Sequence, residues 1–492
     1  MKTSATETIF AAWARLPGGW ARSVRLTVAA GRFASVEPDQ RPGPGDIRVD
    51  TALPGLVNAH SHAFQRALVA RSEAPAPAAP GEFAGGDDVG SAVRSPRVDS
   101  FWSWREAMYD LAARMSPDAL RVVARQLYAE LLAGGYTSVV EFHYLFAAEP
   151  GEPGSRRGAR VMMEAVAQAA RDVGIRLIWV PVLYAYSGFG DAPPGPGQRP
   201  FVLAEDDYVA HLEEAMELEG ALCRVGAGVH SLRAASMDMT QRVAAWARGK
   251  GRPMHIHIAE QPAEIEACLK ATGQRPVSFL LAEARPDASW CLVHATHMDA
   301  SERDMLAATG AAVCVCPTTE ANLGDGLFGL APWLAARAPL AIGSDSQVGT
   351  NAYDELRWLE YGQRLASGTR NVASHAEGQG RGAARCRPTA DVLFDAVLRG
   401  GHRAAGLGGE TERIGLVAGA AADLVAFRDE AARFAGHADA SRLSALVFSA
   451  TPPRADRVMT AGRWVLAEGA CPGLAALRLS EFGSMMDSWF QA

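Results

Sequence analysis

The segment Pro54–Leu68, PGLVNAHSHAFQRAL, ends an apolar run with two histidines that are two residues apart. On a β-strand, His60 and His62 would point to the same side, with their Cα atoms about 6.6 Å apart. Two imidazoles in this arrangement can bind a transition metal ion. Taken alone, the pair is weak support for a metal site, because histidines on strands are often hydrogen-bonded residues of a core.

Other apolar runs of the chain also end in residues that can bind a metal or transfer a proton. They are His230, His257, Glu260, His294 and Asp345. Together with His60 and His62, five of the twelve histidines stand at the ends of apolar runs, which a random distribution would rarely produce. If the run ends converge, His60, His62 and His257 offer three imidazole nitrogens. With the Asp345 carboxylate they suit Zn²⁺ and leave a position for water; iron and manganese are alternatives.

Two further motifs compete for a metal role. The HIH segment puts His255 and His257 on one side of a strand, and His257 is nearer the strand end, so we expect His255 one layer deeper. Cys314 and Cys316 in VCVCP look like a metal pair in isolation. Because neither a second Cys pair nor a His pair lies near them in the sequence, we interpret them as small buried apolar residues.

The elements that must position these residues alternate between short apolar runs and helical patterns. The runs are Leu56–His62, Thr137–Tyr144, Arg176–Tyr184, Cys223–Leu232, Pro253–Glu260, Trp290–His297, Ala311–Thr318 and Pro339–Ser346. Eight such repeats predict an α/β fold, a (β/α)8 TIM-like barrel, in which the C-terminal strand ends meet at one mouth. A doubly wound open sheet is the alternative, but no Gly-rich dinucleotide fingerprint supports it.

Both ends of the chain have a different sequence pattern, in which short runs of alternating apolar and polar residues are separated by turns, as is typical of antiparallel strands. We therefore predict a small β-sandwich domain from residues 1–53 and 413–475, a barrel domain of residues 54–412, and a helical tail of residues 476–492. The segment Arg71–Ser100 is rich in Ala, Pro and Gly, which predicts a long mobile loop, either a lid or without function.

Bulk composition excludes several classes of function. The net charge of −7 offers no electrostatic case for binding nucleic acid or an anionic membrane. No stretch approaches about 18 consecutive apolar residues, so no membrane span is expected. The N-terminal segment is a poor secretory signal, which indicates a cytoplasmic protein. The lysines, Lys2, Lys250 and Lys270, are not at strand ends. A carboxylated-lysine bridge between two metals is therefore not expected, and one metal ion is favoured.

Along nearly its whole length, the chain resembles the amidohydrolase superfamily. The motifs that carry the resemblance are PGLVNAHSH, HIHIAEQ, LVHATH, IGSDS and, in the split β domain, GLVAGAAADLVAF. This resemblance implies that His60, His62, His257 and Asp345 are ligands of one metal ion. It also implies that Glu260 and His294 are catalytic residues.

Within the superfamily, the chain most resembles the formimidoylglutamate deiminase branch. The motifs are AFQRAL, FWSWREAMYD, SVVEFHYL, GVHSLRAAS and CPTTEANLGDGLF. The resemblance implies hydrolysis of N-formimino-L-glutamate to N-formyl-L-glutamate and ammonia in histidine degradation, and a homodimer. Hydrolysis of an amidine-like carbon needs hydroxide near neutral pH, and a bound Zn²⁺ can lower the pKa of water to about 7. Asp345 can take the first proton, Glu260 can pass protons to the departing nitrogen, and His294 can stabilise the tetrahedral intermediate.

A dicarboxylate substrate requires cationic partners, and Arg matches a carboxylate bidentately. Arg105 in FWSWRE and Arg233 in HSLR are the candidates, with an ordinary ion pair on a helix surface as the alternative for Arg105. Tyr144 and His230 can donate to the same carboxylates, and Gln65 can meet the formimino nitrogen. An aminohydrolase of a purine, pterin or other aromatic amidine would use the same metal ligands. A non-catalytic binding barrel is disfavoured, because every expected ligand is present.

Overall fold

A computed structural model describes residues 6–74, 99–378, 386–407, 413–429, 431–449, 451–471 and 479–490. Most of the loop predicted at Arg71–Ser100 lies outside these ranges. The strands are β1 Glu7–Leu16, β2 Gly19–Ala29, β3 Arg32–Glu37, β4 Ile47–Pro54, β5 Leu56–Ser61, β6 Tyr136–His143, β7 Arg176–Leu183, β8 Cys223–Val225, β9 Ala227–Val229, β10 Met254–Ile258, β11 Trp290–His294, β12 Ala312–Val315, β13 Leu340–Ile342, β14 Leu424–Phe427, β15 Arg457–Thr460 and β16 Arg463–Leu466.

The helices cover the outside of the barrel and connect its strands. They are α1 Phe101–Ala112, α2 Pro117–Ala133, α3 Arg156–Val173, α4 Glu205–Ala215, α5 Met237–Lys250, α6 Pro262–Thr272, α7 Pro276–Glu283, α8 Ala300–Thr309, α9 Pro317–Leu323, α10 Leu330–Ala335, α11 Ala352–Ser367, α12 Val372–Gly378, α13 Thr389–Ala404, α14 Ala431–Phe434, α15 Arg442–Phe448 and α16 Leu479–Phe490. None of the helices in the described ranges is long and apolar enough to cross a membrane.

Parallel strands close a barrel with eight strand positions. Around the barrel, β5 is followed by β6, β7, the pair β8 and β9, and then β10 to β13, with β13 pairing back to β5. The fourth position is interrupted at Gly226, and both of its halves pair with β7. Each of the eight predicted runs contains a strand position of this barrel, so the (β/α)8 prediction is confirmed.

A separate seven-stranded sheet forms from both ends of the chain, in the order β16-β15-β14-β4-β1-β2-β3. The sheet curls, since the Phe33 N–H on the edge strand β3 donates at 3.0 Å to the carbonyl of Ala420, in the segment before β14. The enclosed core includes Ile9, Leu26 and Met459. The predicted small β domain is thus confirmed as one curved, hydrogen-bonded sheet, while the domain boundaries stay predictions.

The sheet and the barrel are joined at the strand that carries the first two histidines. Only Gly55 separates β4 from β5, and β14 pairs antiparallel with the end of β4. A buried ion pair links Arg176, at the start of β7, with Asp423, just before β14. The start of β5 is therefore held by both parts of the molecule.

Candidate active site

The barrel mouth brings together the four predicted metal ligands. His60 Nε2 lies 3.1 Å from His62 Nε2 and 2.9 Å from His257 Nε2. Asp345 Oδ1 lies 3.3 Å from His62 Nε2 and 3.6 Å from His60 Nε2. Four donors around a tetrahedral Zn²⁺ at its usual bond lengths would be about 3.3 Å apart. The donor types and their spacing therefore fit one divalent metal ion.

The protonation of these side chains also suits a metal. Burial lowers the pKa of His60 to about 3, and it lowers the pKa of His257 well below its ordinary value. Although burial opposes it, hydrogen bonding with His60 and His62 holds the pKa of Asp345 well below its usual range. His62 Nδ1 lies 2.8 Å from the Phe142 carbonyl, and donation there leaves Nε2 with its lone pair free. Three histidine nitrogens and one carboxylate thus lie within a few ångströms of one another.

The backbone at the strand ends adopts unusual conformations. Ala259, His294 and Asp345 have φ angles of 52°, 66° and 47°, in the left-handed region that costs energy for residues other than glycine. Gly343 approaches β5 so closely that a Cβ added there would lie 2.7 Å from His60 Cβ. The turn from β13 to Asp345 can therefore reach the histidines only because position 343 has no side chain.

A buried carboxylate, which sequence reasoning missed, holds the histidine motif from behind. Glu141 accepts hydrogen bonds from the Ala63 N–H at 2.6 Å, from the Ser61 hydroxyl at 3.0 Å and from the Tyr128 hydroxyl at 3.1 Å. Burial raises the pKa of Glu141 to about 7. Its contacts fix the residues on both sides of His62. A charged residue inside the apolar run SVVEFH was the available signal.

Acidic groups surround His294. Its Nε2 lies 3.6 Å from Glu260 Oε1 and 3.8 Å from Asp345 Oδ2, and its Nδ1 lies 3.3 Å from Glu320 Oε1. Although burial opposes it, Glu260 and Glu320 raise the pKa of His294 well above its ordinary value. Burial raises the pKa of Glu260, and burial together with Glu260 raises the pKa of Asp325 to about 9. Glu260 and Asp325 therefore hold protons more readily than ordinary carboxyl groups, and both lie close to His294 and the predicted metal ligands.

The predicted substrate-binding residues line two adjoining cavities at the mouth. The inner one, of about 40 Å³, is bordered by Gln65, Tyr144 and His230, among other residues. The outer one measures about 490 Å³, and both cavities reach Arg105 and Arg233. The structure therefore places all five predicted residues around one space that leads to the metal ligands.

Several polar groups in this space are available to a substrate. Gln65 Nε2 donates to the Tyr144 hydroxyl at 3.0 Å, while the buried Gln65 Oε1 has no hydrogen-bond partner among the described residues. The Arg105 guanidinium stacks over Trp102 at 4.4 Å. Within the described ranges neither Arg105 nor Arg233 forms an ion pair, so the surface ion pair considered for Arg105 is not seen.

Three further histidines near the strand ends, His255, His143 and His297, make hydrogen bonds to backbone carbonyls. His255 Nε2 lies 2.8 Å from the Ala404 carbonyl, one layer below the metal ligands. His143 Nε2 lies 2.8 Å from the Leu145 carbonyl, and His297 Nε2 lies 2.7 Å from the Asp325 carbonyl. These contacts explain why the three histidines point away from the candidate metal centre.

Comparisons with known proteins agree with the motifs. Residues 51–465 match the Amidohydrolase family, and residues 6–50 match the N-terminal domain of formimidoylglutamate deiminase HutF. Formimidoylglutamate deiminase of Pseudomonas aeruginosa is 39% identical over 475 residues, covering 94% of this chain and 96% of that protein. The 8-oxoguanine deaminase of the same organism is 27% identical, with coverages of 87% and 85%. The crystal structure of an amidohydrolase from Brucella melitensis is 36% identical and superposes with a TM-score of 0.86 over 98% of this chain and 99% of that one.

Proposed function

This chain belongs to the amidohydrolase family, and we propose that it hydrolyses N-formimino-L-glutamate to N-formyl-L-glutamate and ammonia, as a step of histidine degradation. The observation that carries the proposal is the position of two guanidinium groups, Arg105 and Arg233, at the cavity that leads to the proposed metal ligands. Neither group has an ion-pair partner in the part of the chain that the structure describes. The similarity to the P. aeruginosa deiminase over nearly the full length of both chains supports the same reaction.

For the metal, the proposal is one divalent ion, Zn²⁺, bound by His60, His62, His257 and Asp345. When bound, such an ion lowers the pKa of a water molecule and so supplies a nucleophile near neutral pH. Asp345 would hold the ion through Oδ1, which faces His62, and Oδ2, which lies 3.8 Å from His294 Nε2, would then be the oxygen that accepts a proton from the attacking water.

Glu260 and His294 complete the proposed acid–base chemistry. Water adds to the formimino carbon, the bond between this carbon and its terminal nitrogen breaks, and that nitrogen leaves as ammonia. Glu260 has a raised pKa and can hold a proton near neutral pH, so it can protonate the departing nitrogen. The imidazolium of His294, stabilised by Glu260 and Glu320, can balance the negative charge that develops at the tetrahedral carbon.

The glutamate part of the substrate, with its two carboxylates, would contact the polar side chains that line the two cavities. Arg105 and Arg233 bind the two carboxylates, and Tyr144 and His230 add hydrogen bonds. The free Oε1 of Gln65 accepts from the formimino N–H, which satisfies a buried oxygen that has no partner in the described part of the chain. A deaminase of an aromatic amidine would leave both guanidiniums without a carboxylate.

Ammonia release from N-formimino-L-glutamate, measured beside guanine and cytosine, tests the reaction. We expect turnover of the first compound alone, and turnover only of an aromatic base would refute the proposal. In Arg233→Met the KM for N-formimino-L-glutamate should rise about 10- to 100-fold, because a hydrogen bond between charged groups contributes about 1.5–3 kcal/mol. Arg224→Met is the matched control, since Arg224 lies on β8, away from the mouth.

The proposal extends to the setting of the enzyme, a homodimer in the cytoplasm. Among the described residues, no disulfide joins Cys223, Cys268, Cys291, Cys314, Cys316 or Cys386, which agrees with a reducing compartment. Sedimentation of the purified protein would test the dimer, and a monomer at micromolar concentration would refute it.

A further inference from the structure

A thiol at the end of β12 lies beside the candidate active site and has no role in the proposed reaction. Cys316 Sγ, one ring nitrogen of His294 and one carboxylate oxygen of Asp345 all lie within 4.8 Å of one another. Each of these side chains is buried. Sequence reasoning interpreted Cys316 as a small apolar residue, because the nearby histidine comes from the neighbouring strand β11 and not from the adjacent sequence.

The orientation of the three side chains suits coordination. Asp345 turns its Oδ1 towards His62, at 3.3 Å, and its Oδ2 towards His294 Nε2, at 3.8 Å. His294 Nδ1 faces Glu320 Oε1 at 3.3 Å, and this oxygen also accepts from the Cys316 N–H at 2.9 Å. A carboxylate behind an imidazole in this way orients the opposite ring nitrogen as a metal ligand. The contacts resemble those that support the ligands of known zinc sites.

We propose that His294, Cys316 and Asp345 form a second metal site, selective for thiophilic divalent ions such as Cd²⁺, whose occupation stops turnover. Thiolate, imidazole and carboxylate form a ligand set for Zn²⁺ and softer ions, whereas Mg²⁺ and Ca²⁺ prefer oxygen ligands alone. On coordination the Cys316 thiol proton and the Nε2 proton of the His294 imidazolium both leave to the solvent. With three protein donors instead of four, this site binds more weakly than the first.

Inhibition follows from the residues that the second ion would engage. His294 would no longer be free to stabilise the reacting carbon, and the second oxygen of Asp345 would no longer be free to accept a proton. This consequence rests on the proposed function, whereas the binding of the ion does not.

A neighbouring set of donors competes for the same imidazole. One carboxylate oxygen each of Glu260 and Asp325 also lies within 4.8 Å of a His294 ring nitrogen. That set has oxygen donors and no thiol, so it would not produce a cadmium–thiolate bond. We favour the Cys316 set for Cd²⁺ because thiolate is the ligand that soft ions select.

The test titrates the purified holoenzyme, containing one equivalent of metal, with Cd²⁺ alone. We expect total metal to rise from one to two equivalents, with an ultraviolet charge-transfer absorption of cadmium–thiolate and a parallel loss of ammonia release. Cys316→Ser should remove the absorption and weaken the second binding event about tenfold or more, and Cys316→Ala should do the same. Cys268→Ser is the matched control, since Cys268 is equally buried, on α6, but lies outside both donor sets, and it should behave as wild type.

Three outcomes would overturn the proposal. The first is that wild type binds no second equivalent of Cd²⁺. The second is that the absorption is unchanged in both Cys316 variants. The third is that Asp325→Asn loses the second equivalent while Cys316→Ser retains it. If the protein turned over no formimino substrate, the proposed function would fail. The metal content and the absorption would still decide whether the second site exists.

Discussion

The close approach of Gly343 to β5 yields a quantitative prediction for Gly343→Ala. A Cβ at this position would lie 2.7 Å from His60 Cβ and 2.8 Å from the His60 carbonyl oxygen. Non-bonded carbon atoms are normally at least about 3.5 Å apart. Either His60 or the β13 turn must therefore move by about 0.8 Å. His60 and Asp345, which follows the β13 strand, both belong to the proposed metal centre, so neither side can move away to relieve the clash without disturbing that centre.

A shift of this size exceeds what the ligand geometry tolerates. His60 Nε2 has neighbouring ligand nitrogens at 2.9 Å and 3.1 Å, and metal–ligand distances vary by only about 0.2 Å. We expect metal affinity to fall about 10- to 100-fold, as is typical when ligand support is lost. Activity should fall about 100-fold, because misplacement by about 1 Å has that effect. Overpacking should also cost about 1–3 kcal/mol of unfolding free energy.

Metal content after dialysis against a competing chelator measures the main effect, with ammonia release measured on the same samples. Gly249→Ala is the matched control, because an added Cβ on that residue of α5 meets no atom within 4 Å. Full metal occupancy of Gly343→Ala under the competition that wild type withstands would refute the reasoning. So would a wild-type rate of ammonia release.

Four further outcomes are expected. Removal of the metal by a chelator should abolish ammonia release and lower the melting temperature, and stoichiometric Zn²⁺ should restore both. Activity that survives complete removal of the metal would contradict the proposed centre. Glu260→Gln should lower kcat about 10²- to 10⁴-fold with unchanged metal content, so a near-normal kcat would reject its acid–base role. Arg176→Met should lower the unfolding free energy by about 3–5 kcal/mol in urea denaturation, because the buried Asp423 loses its partner, and a change under 1 kcal/mol would contradict this. Hydrogen bonds from the Gly43 N–H and from Thr8, and then Arg25, lower the pKa of Asp46. The ionised Asp46 therefore stabilises the fold above its unfolded-state pKa, and this stabilisation is lost as the pH falls through its folded-state pKa. Asp46→Asn should have a lower free energy of unfolding than wild type at pH 7, and the difference should disappear near pH 2.

The sequence predicted most of the fold because the barrel follows from local patterns. Each apolar run is a strand that must be buried on both faces, and the helical patterns between the runs leave few other topologies. The interruption at Gly226 could not be read from the run Cys223–Leu232, because apolar residues continue on both sides of it. It arises because the strand pairs with β7 in two separate pieces.

The candidate site could be predicted for residues whose position along their own strand determines which way the side chain points. His60 and His62 are such residues, since the strand end alone turns them to the barrel mouth. Glu320 and Asp325 were missed because they follow β12, and their proximity to His294 depends on how α9 and the following turn pack. The same holds for Cys316, whose nearest chemistry comes from another strand.

The direct continuation of β4 into β5 also affects the order in which the protein can fold during synthesis. His60 and His62 are made early, but Pro54, at the end of β4, pairs with Leu424, which is made much later. Until β14 emerges, β4 has an unpaired edge beside largely buried side chains, and such an edge invites pairing with other chains. Asp345 is likewise made long after the histidines. A growing chain therefore carries the two histidines of the proposed metal site, with an open sheet edge next to them, through most of its synthesis. The C-terminal strands remove this aggregation risk when they close the sheet.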